Sequence, residues 1–349
     1  MAADRANGDY RPLVGITMGD PLGIGPETIV KALADSRLRS RARFIVFGLE
    51  EALELAADLA EINPFWWREP YDGTARVGRG VLVADFDDLP LPRINGHREP
   101  DELAGAASFR FVEEGIRHLK AGTLDALVTG PISKQAWHLA RQPFRGHTEL
   151  LARRLEARRV TMAFVAGKLR VALASDHVGL FDLRNSFTIG LVYQPIDLLD
   201  KALREWFGIA RPRIGVLGLN PHAGEDGLMG DEERRIIEPA LTLARNSGLD
   251  VAGPLPPDTA FVPEVRRRFD GLVAMYHDQG LIPVKMLAFR EAVNVTLGLG
   301  VIRTSPDHGT AFDIAGRNKA DAGSMRAAIE LAIELAARRR LVATAADRP

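Results

Sequence analysis

The chain has 349 residues, 46% of them apolar and 26% charged, with a formal net charge of -1 at pH 7. That length suffices for two domains with cores of their own, and the near-neutral balance creates no field that would gather nucleic acid or an anionic membrane surface. The lack of cysteine excludes disulfides, thiolate metal sites and a thiol nucleophile, so any metal site must draw on His, Asp or Glu.

Short apolar runs alternate with helical patterns from the start of the chain. "LVGITM" predicts a strand and "PETIVKALAD" a helix; "RARFIVFG" and "LEEALELAADLA" repeat the pair. Residues 85–101, rich in Asp, Pro and Arg, read as an irregular connection or a short hairpin. "ASFRFVEEGIRHLKAG" is helical and "LDALVTG" is a strand, followed by helices in "SKQAWHLA" and "TELLARRLEARR". "VTMAFVAG" and "LRVALASD" read as a strand pair. "PIDLLDKALREWFG" is helical, "RIGVLGLN" a strand, "DEERRIIEPALTLARNSG" a helix and "DGLVAMY" a strand. "DAGSMRAAIELAIELAARRR" is the last helix. Strands alternating with helices imply an α/β fold. No apolar run reaches the ~18 residues that a membrane span needs, and the first residues are polar, unlike a signal peptide. The expected location is the cytoplasm.

The unusual polar residues fall just after strands, where open α/β sheets bind their ligands. "GDPLGIGPE" follows the first strand. Pro26 suits the first turn of the next helix and Glu27 its positive end. Its Gly-x-Gly lacks the third glycine of the dinucleotide fingerprint, so a tight strand-to-helix turn explains it as well. "FRGHTELL" brings His147 and Thr148 to a helix start, which suits either an anion site or a simple Thr148 cap. Three histidines stand at strand ends: His177 in "ASDHVGL", His222 in "LNPHAGE" and His277 in "AMYHDQG". One such histidine means little, but three at one sheet edge fit a divalent cation held by imidazoles. His118 and His138 lie within helical patterns and read as structural or exposed. His97 has no evident role. "AMYHDQGLIPVK" looks like a strand running into a polar turn with Lys285 beyond it. "NVTLGLGVIRTSPDHGTAFDIAGRNKAD" reads as a Gly-punctuated polar loop before a helix, suited to a nucleotide, or as a solvated loop.

"ITMGDPLGIGPE", "GHTELLA", "LNPHAGEDGLMGDEE", "PLPPDTAF", "MYHDQGLIPVK" and "VNVTLGLGVIRTSPDHGTAFDIAGRNKAD" together resemble the 4-hydroxythreonine-4-phosphate dehydrogenase family of vitamin B6 biosynthesis. The likeness runs in order along essentially the whole chain. The last segment also resembles the cofactor loop of isocitrate and isopropylmalate dehydrogenases. The resemblance implies two α/β/α domains with the active site in a cleft between them. The first would comprise 1–128 plus 297–349, with both termini and the nucleotide loop. The second would be 129–296, with the metal ligands and the dimer interface.

The same resemblance implies a homodimer in which His177, His222 and His277 hold one divalent metal (Zn, Mg or Co), His277 coming from the partner subunit. It implies that His147, Thr148, Lys285, Asn294 and Arg303 bind substrate, and that His308, Gly309, Thr310, Asp313 and Asn318 bind NAD or NADP. Lys285, Asp278 and Asp258 are the catalytic candidates, with the choice of base open between the two aspartates. The implied reaction oxidises 4-phosphooxy-L-threonine to 2-amino-3-oxo-4-phosphooxybutanoate, which decarboxylates to 3-amino-2-oxopropyl phosphate. Departures from the common family pattern include Gly179 for a proline, Asp176 beside His177, Arg145, Gly300 and Pro306. They leave a phosphorylated four-carbon sugar acid, 4-phospho-threonate or 4-phospho-erythronate, as an alternative substrate. A metal hydrolase would need no nicotinamide, which the "DHGTAFDIAG" loop speaks against. A non-catalytic binding protein would have no need of the full set of residues kept here.

Overall fold

The computed structural model describes residues 10–90 and 98–346; His97 lies outside them. The chain divides into two compact units, 1–157 with 299–337 and 158–298 with 338–349. In the first unit, β1 (Leu13–Thr17) leads to α1 (Gly25–Leu33) and α2 (Ser36–Arg41), then β2 (Arg43–Gly48), α3 (Glu50–Leu59), β3 (Trp67–Pro70) and β4 (Val81–Asp85). Next come α4 (Glu102–Lys120), β5 (Ala126–Thr129), α5 (Lys134–Leu139) and α6 (His147–Arg154). The second unit contributes β6 (Thr161–Ala166), β7 (Leu169–Leu173), α7 (Leu183–Ser186), α8 (Ile189–Glu205), β8 (Arg213–Leu217), α9 (Glu238–Asn246) and β9 (Asp250–Leu255). It continues with α10 (Pro263–Arg266), β10 (Gly271–Ala274), α11 (His277–Ala288) and β11 (Val293–Leu297). The chain then returns to the first unit with β12 (Ile302–Pro306) and starts α12 (Gly323–Ala346). No helix among the described residues is long and apolar enough to cross a membrane.

In the first unit the strand order is β3-β4-β2-β1-β5-β12, with every pair parallel. Leu127 points to α4, where it lies under Gly115, while Thr304, on the opposite pleat, donates to the Ala328 carbonyl of α12. Helices therefore cover both faces, as an all-parallel sheet requires. The order reverses between β1 and β5. There the two strand ends touch backbone to backbone: a Cβ on Gly130 would stand 2.4 Å from the Met18 carbonyl oxygen. A reversal of this kind opens a crevice at the strand carboxyl ends.

The second unit runs β11-β6-β7-β10-β8-β9. The β11–β6 and β6–β7 pairs are antiparallel, and β7–β10, β10–β8 and β8–β9 are parallel. Gly271 packs on Leu199 of α8, whereas Ala274 lies against Gly280 of α11. Positions three apart on a strand face opposite ways, so these helices cover opposite faces. Val171, Leu173, Leu272, Ala274, Leu281 and Val284 form the core on the α11 side. The strands that open and close this segment adjoin, Thr161 pairing with Leu297.

The α/β architecture is as the sequence predicts, with three local corrections. The polar stretch after "AMY" is no turn: His277, Asp278 and Lys285 belong to α11, which carries Pro283 inside it. The presumed loop before the last helix contains β11 and β12. Helix α8 begins at Ile189 and takes Pro195 into its interior rather than starting there.

Candidate functional site

In the second unit, β7, β10 and β8 are parallel neighbours, so their carboxyl ends leave one edge together. Those ends carry His177, His277 and His222. The His177 and His277 rings lie 5.8 Å apart within a single chain. His222 sits in a turn where His222, Ala223, Gly224, Glu225 and Asp226 all have positive φ, a conformation that is costly for the residues bearing a Cβ. Among the described residues, no group of three or more His, Asp or Glu side chains stands close enough to hold a metal ion. The structure thus brings two of the three imidazoles together.

The donor chemistry nevertheless fits a divalent cation. Two imidazoles have a carboxylate within reach of Nδ1, Asp278 at 2.7 Å from His277 and Glu225 at 3.3 Å from His222, whereas Asp176, 3.8 Å from His177 Nδ1, accepts from His177 N at 2.6 Å instead. A carboxylate on Nδ1 favours the proton there and leaves the Nε2 lone pair for a metal. The sequence signal was present in "HAGE" and "HD". Lys285 is half-buried in α11, its Nζ 5.2 Å from the centre of the Phe289 ring. Asp258, after β9, is exposed. Asn294 lies on β11 with its Oδ1 shut off from solvent and unpaired among the described residues.

The remaining expected residues belong to the first unit. Arg303 on β12 is 3% exposed, and its Nη2 and Nε donate to Thr129 Oγ1 at 2.6 and 3.1 Å. Burial lowers its pKa to about 10. His147 opens α6, with Gly146 rather than Thr148 in the cap position, and packs edge-on to Trp137. Its Nε2 is closed to solvent and has no partner among the described residues. Burial, then the charge of Arg303, holds this imidazole well below its ordinary pKa. A neutral histidine, Thr148 in the first helical turn and a buried guanidinium suit an anionic group.

The expected cofactor residues lie between β12 and α12, and the "GDPLGIGPE" turn is where that loop docks. Ile24 N donates to the Thr310 carbonyl at 2.9 Å, and Lys31 Nζ donates to the carbonyls of Ala320 and Asn318 at 3.0 and 3.3 Å. Glu27, 5% exposed, accepts from Ala320 N and Lys31 Nζ, both at 2.7 Å. Ile24, Ala315 and Ala320 form a small apolar cluster. The glycines of this turn therefore serve close packing. His308 Nδ1 lies 3.1 Å from the Gly309 carbonyl, while Gly309, Asp313 and Asn318 are exposed. Sequence reading missed Thr129, which holds Arg303. It also missed Asp20, which is fully buried with Oδ2 unpaired among the described residues.

Two open α/β units with their polar residues at strand ends define a class of proteins that bind small ligands there. The family described as pyridoxal phosphate biosynthetic protein PdxA matches residues 40–332. A 4-hydroxythreonine-4-phosphate dehydrogenase of Desulforapulum autotrophicum is 43% identical, with 93% of this chain and 95% of that one aligned. A D-threonate 4-phosphate dehydrogenase of Cupriavidus necator is 46% identical over 95% of this chain and 99% of its own. The crystal structure of a 4-hydroxythreonine-4-phosphate dehydrogenase from Klebsiella pneumoniae matches with TM-score 0.82 and 40% identity, covering 93% of this chain and 99% of that one. The chain belongs to the PdxA family.

Proposed function

We propose that this protein is a nicotinamide-dependent dehydrogenase that oxidises the C3 alcohol of 4-phosphooxy-L-threonine, giving a 3-oxo acid that loses carbon dioxide to leave 3-amino-2-oxopropyl phosphate. The observation that carries the reading is the parallel run β7-β10-β8, which delivers three histidines to one edge in a chain whose relatives are phosphorylated-substrate dehydrogenases. When bound, the cation acts as a Lewis acid toward the substrate hydroxyl and the nicotinamide, NAD or NADP, accepts the hydride. His177, His222 and His277 would hold the cation, Zn, Mg or Co, through Nε2, with the His277 of each site supplied by a second subunit of a homodimer. Asp278 orients His277 through Nδ1, which leaves Asp258 as the candidate to take the hydroxyl proton. Arg303, His147 and Thr148 receive the phosphate; Lys285 and Asn294 hold the carboxylate end and the reacting carbon. The loop 307–320, fixed by Glu27 and Lys31, carries His308, Gly309, Thr310, Asp313 and Asn318 to the nicotinamide cofactor.

A second reading keeps this chemistry and changes the substrate to 4-phospho-threonate or 4-phospho-erythronate. It is favoured by the relative from Cupriavidus necator and by Asp176, whose carboxylate stands beside His177. Formation of reduced cofactor should be measured against the three phosphorylated acids and their dephosphorylated counterparts, with each of NAD and NADP. The first reading requires the highest kcat/KM on 4-phosphooxy-L-threonine. Preference for an acid without the amino group selects the second. Equal turnover of phosphorylated and dephosphorylated compounds would refute both.

A further inference from the structure

The three histidine-bearing strand ends are tied to one another through the Met275 backbone and the side chains of Ser175 and Gln279. The carbonyl of Met275, two residues before His277, accepts from Ser175 N at 3.2 Å and Ser175 Oγ at 2.9 Å. Ser175 lies two residues before His177. The N–H of the same Met275 donates to Gln279 Oε1 at 2.7 Å, and Gln279 Nε2 donates to the Gly218 carbonyl at 2.8 Å. Gly218 lies four residues before His222. A chain of hydrogen bonds therefore runs from the His177 end through the His277 end to the His222 end.

The last link needs a side chain that accepts at one oxygen and donates at the other terminus. A primary amide of this length does both without a change of protonation, whereas an ionised carboxylate only accepts. Beyond Gly218, Glu233 completes the arrangement. Its carboxylate is buried, Oε1 accepting from Leu219 N and Asn220 N at 2.7 Å each, and Oε2 from Asn220 Nδ2 at 2.8 Å. This clamp holds the base of the turn whose non-glycine residues at 222, 223, 225 and 226 adopt positive φ. Gly218 itself has no room for a side chain, since a Cβ would stand 2.7 Å from Ala223 Cα.

We propose that Gln279 is a positioning residue that sets the His222 turn in register with the His177 strand end, and so fixes the two imidazoles that one chain brings to the cation site, the partner's His277 being the third. The proposal rests on the metal reading of these histidines given above. Gln279 touches none of the reacting atoms and acts through Met275 and Gly218.

The test uses Co²⁺ binding to the full-length, metal-stripped protein by calorimetry, beside a melting curve. The wild type and His177→Ala establish the reading: the first should bind and the second should not. Gln279→Glu keeps the acceptor for Met275 N–H but sets a carboxylate oxygen against the Gly218 carbonyl. Partners bonded directly to metal-binding imidazoles are worth roughly 10- to 100-fold in affinity; Gln279 stands further off, so Gln279→Glu should bind Co²⁺ measurably more weakly, by no more than the low end of that range. Its absorption bands should shift and its melting temperature should stay near that of the wild type. Should that variant not fold, Ser175→Ala, which removes only the Oγ bond to Met275, should show the same shift in the Co²⁺ spectrum with a smaller loss of affinity. Wild-type Co²⁺ affinity and spectrum in a folded Gln279→Glu protein, or in Ser175→Ala if that one is used, overturn the proposal and leave the metal reading intact. No Co²⁺ binding by the wild type overturns both.

Discussion

Asp20 offers a direct measure of what it costs to close a carboxyl inside the β1–β5 crevice. The residue has no exposed surface; Leu22 N donates to its Oδ1 at 3.0 Å, and its Oδ2 meets no donor among the described residues. Burial, together with the charge of Asp101 and against the Leu22 hydrogen bond, pushes its pKa up from 3.8 to about 7. The unfolded chain releases this proton near its ordinary value, whereas the folded chain keeps it until about 7. Between those two points the folded state binds more protons, so the contribution of Asp20 to stability falls as pH rises and levels off above the folded value. At about 1.4 kcal/mol per pH unit, the loss approaches about 4 kcal/mol across the window. Asp20→Asn removes the titration and retains an acceptor for Leu22 N–H. Urea denaturation of both proteins at pH 5, 6, 7 and 8 should show the variant gaining on the wild type up to pH 7, with no further gain above it. Parallel stability curves across that range would refute the assignment.

Replacing Thr129 by Val removes the oxygen that receives two N–H groups of buried Arg303, and should cost about 2 kcal/mol of stability and raise KM for the phosphorylated substrate, as measured by denaturation and initial rates. Lys285→Met should lower kcat/KM at least roughly tenfold if its charge binds substrate, because each 1.36 kcal/mol is one decade; an unchanged value would return Lys285 to the role of a helix-surface lysine. Mixing His177→Ala with His277→Ala subunits should restore activity if each site borrows His277 from its partner. If His277 instead serves its own chain, as its 5.8 Å ring separation from His177 in one subunit allows, both sites in the mixed dimer are lesioned and no activity returns.

Much of this was legible because strand ends and ligand chemistry are written locally. The alternation of β2 and α3, the antiparallel pair β6–β7 and the position of His177, His222 and His277 after strands all follow from short-range pattern. Other features were not legible, because they depend on distant partners. Short or interrupted strands such as β11 and β12 carry polar residues whose burial comes only from neighbours far along the chain, so "NVTLGLGVIRTSP" reads as a loop. Helix α11 begins with a polar turn and contains a proline, which hides its helical period behind turn signals. Pro195 misplaced the start of α8 for the same reason. The pairing of Arg303 with Thr129 joins residues 174 positions apart, and no local signal records it. The Gly-x-Gly of the first turn serves the tight strand-to-helix turn that the sequence equally allowed, with Gly23 against Thr310 of the following loop and Gly25 against the Met18 carbonyl.

The adjoining strands β6 and β11 have a consequence for how this chain can be remodelled. Residues 158–298 leave the first unit and return to it through neighbouring strands, so their ends are held together by their own ladder. To the host unit, the whole segment closes like a short loop, with little of the entropy that a long excursion would cost. A recombination at its two borders would exchange all three strand-end histidines, Gln279 and Glu233 in one event. Arg303, His147 and the loop anchored on Glu27 would stay behind. The histidine-bearing strand ends and the loop anchored on Glu27 are thus carried on separately replaceable stretches of one gene.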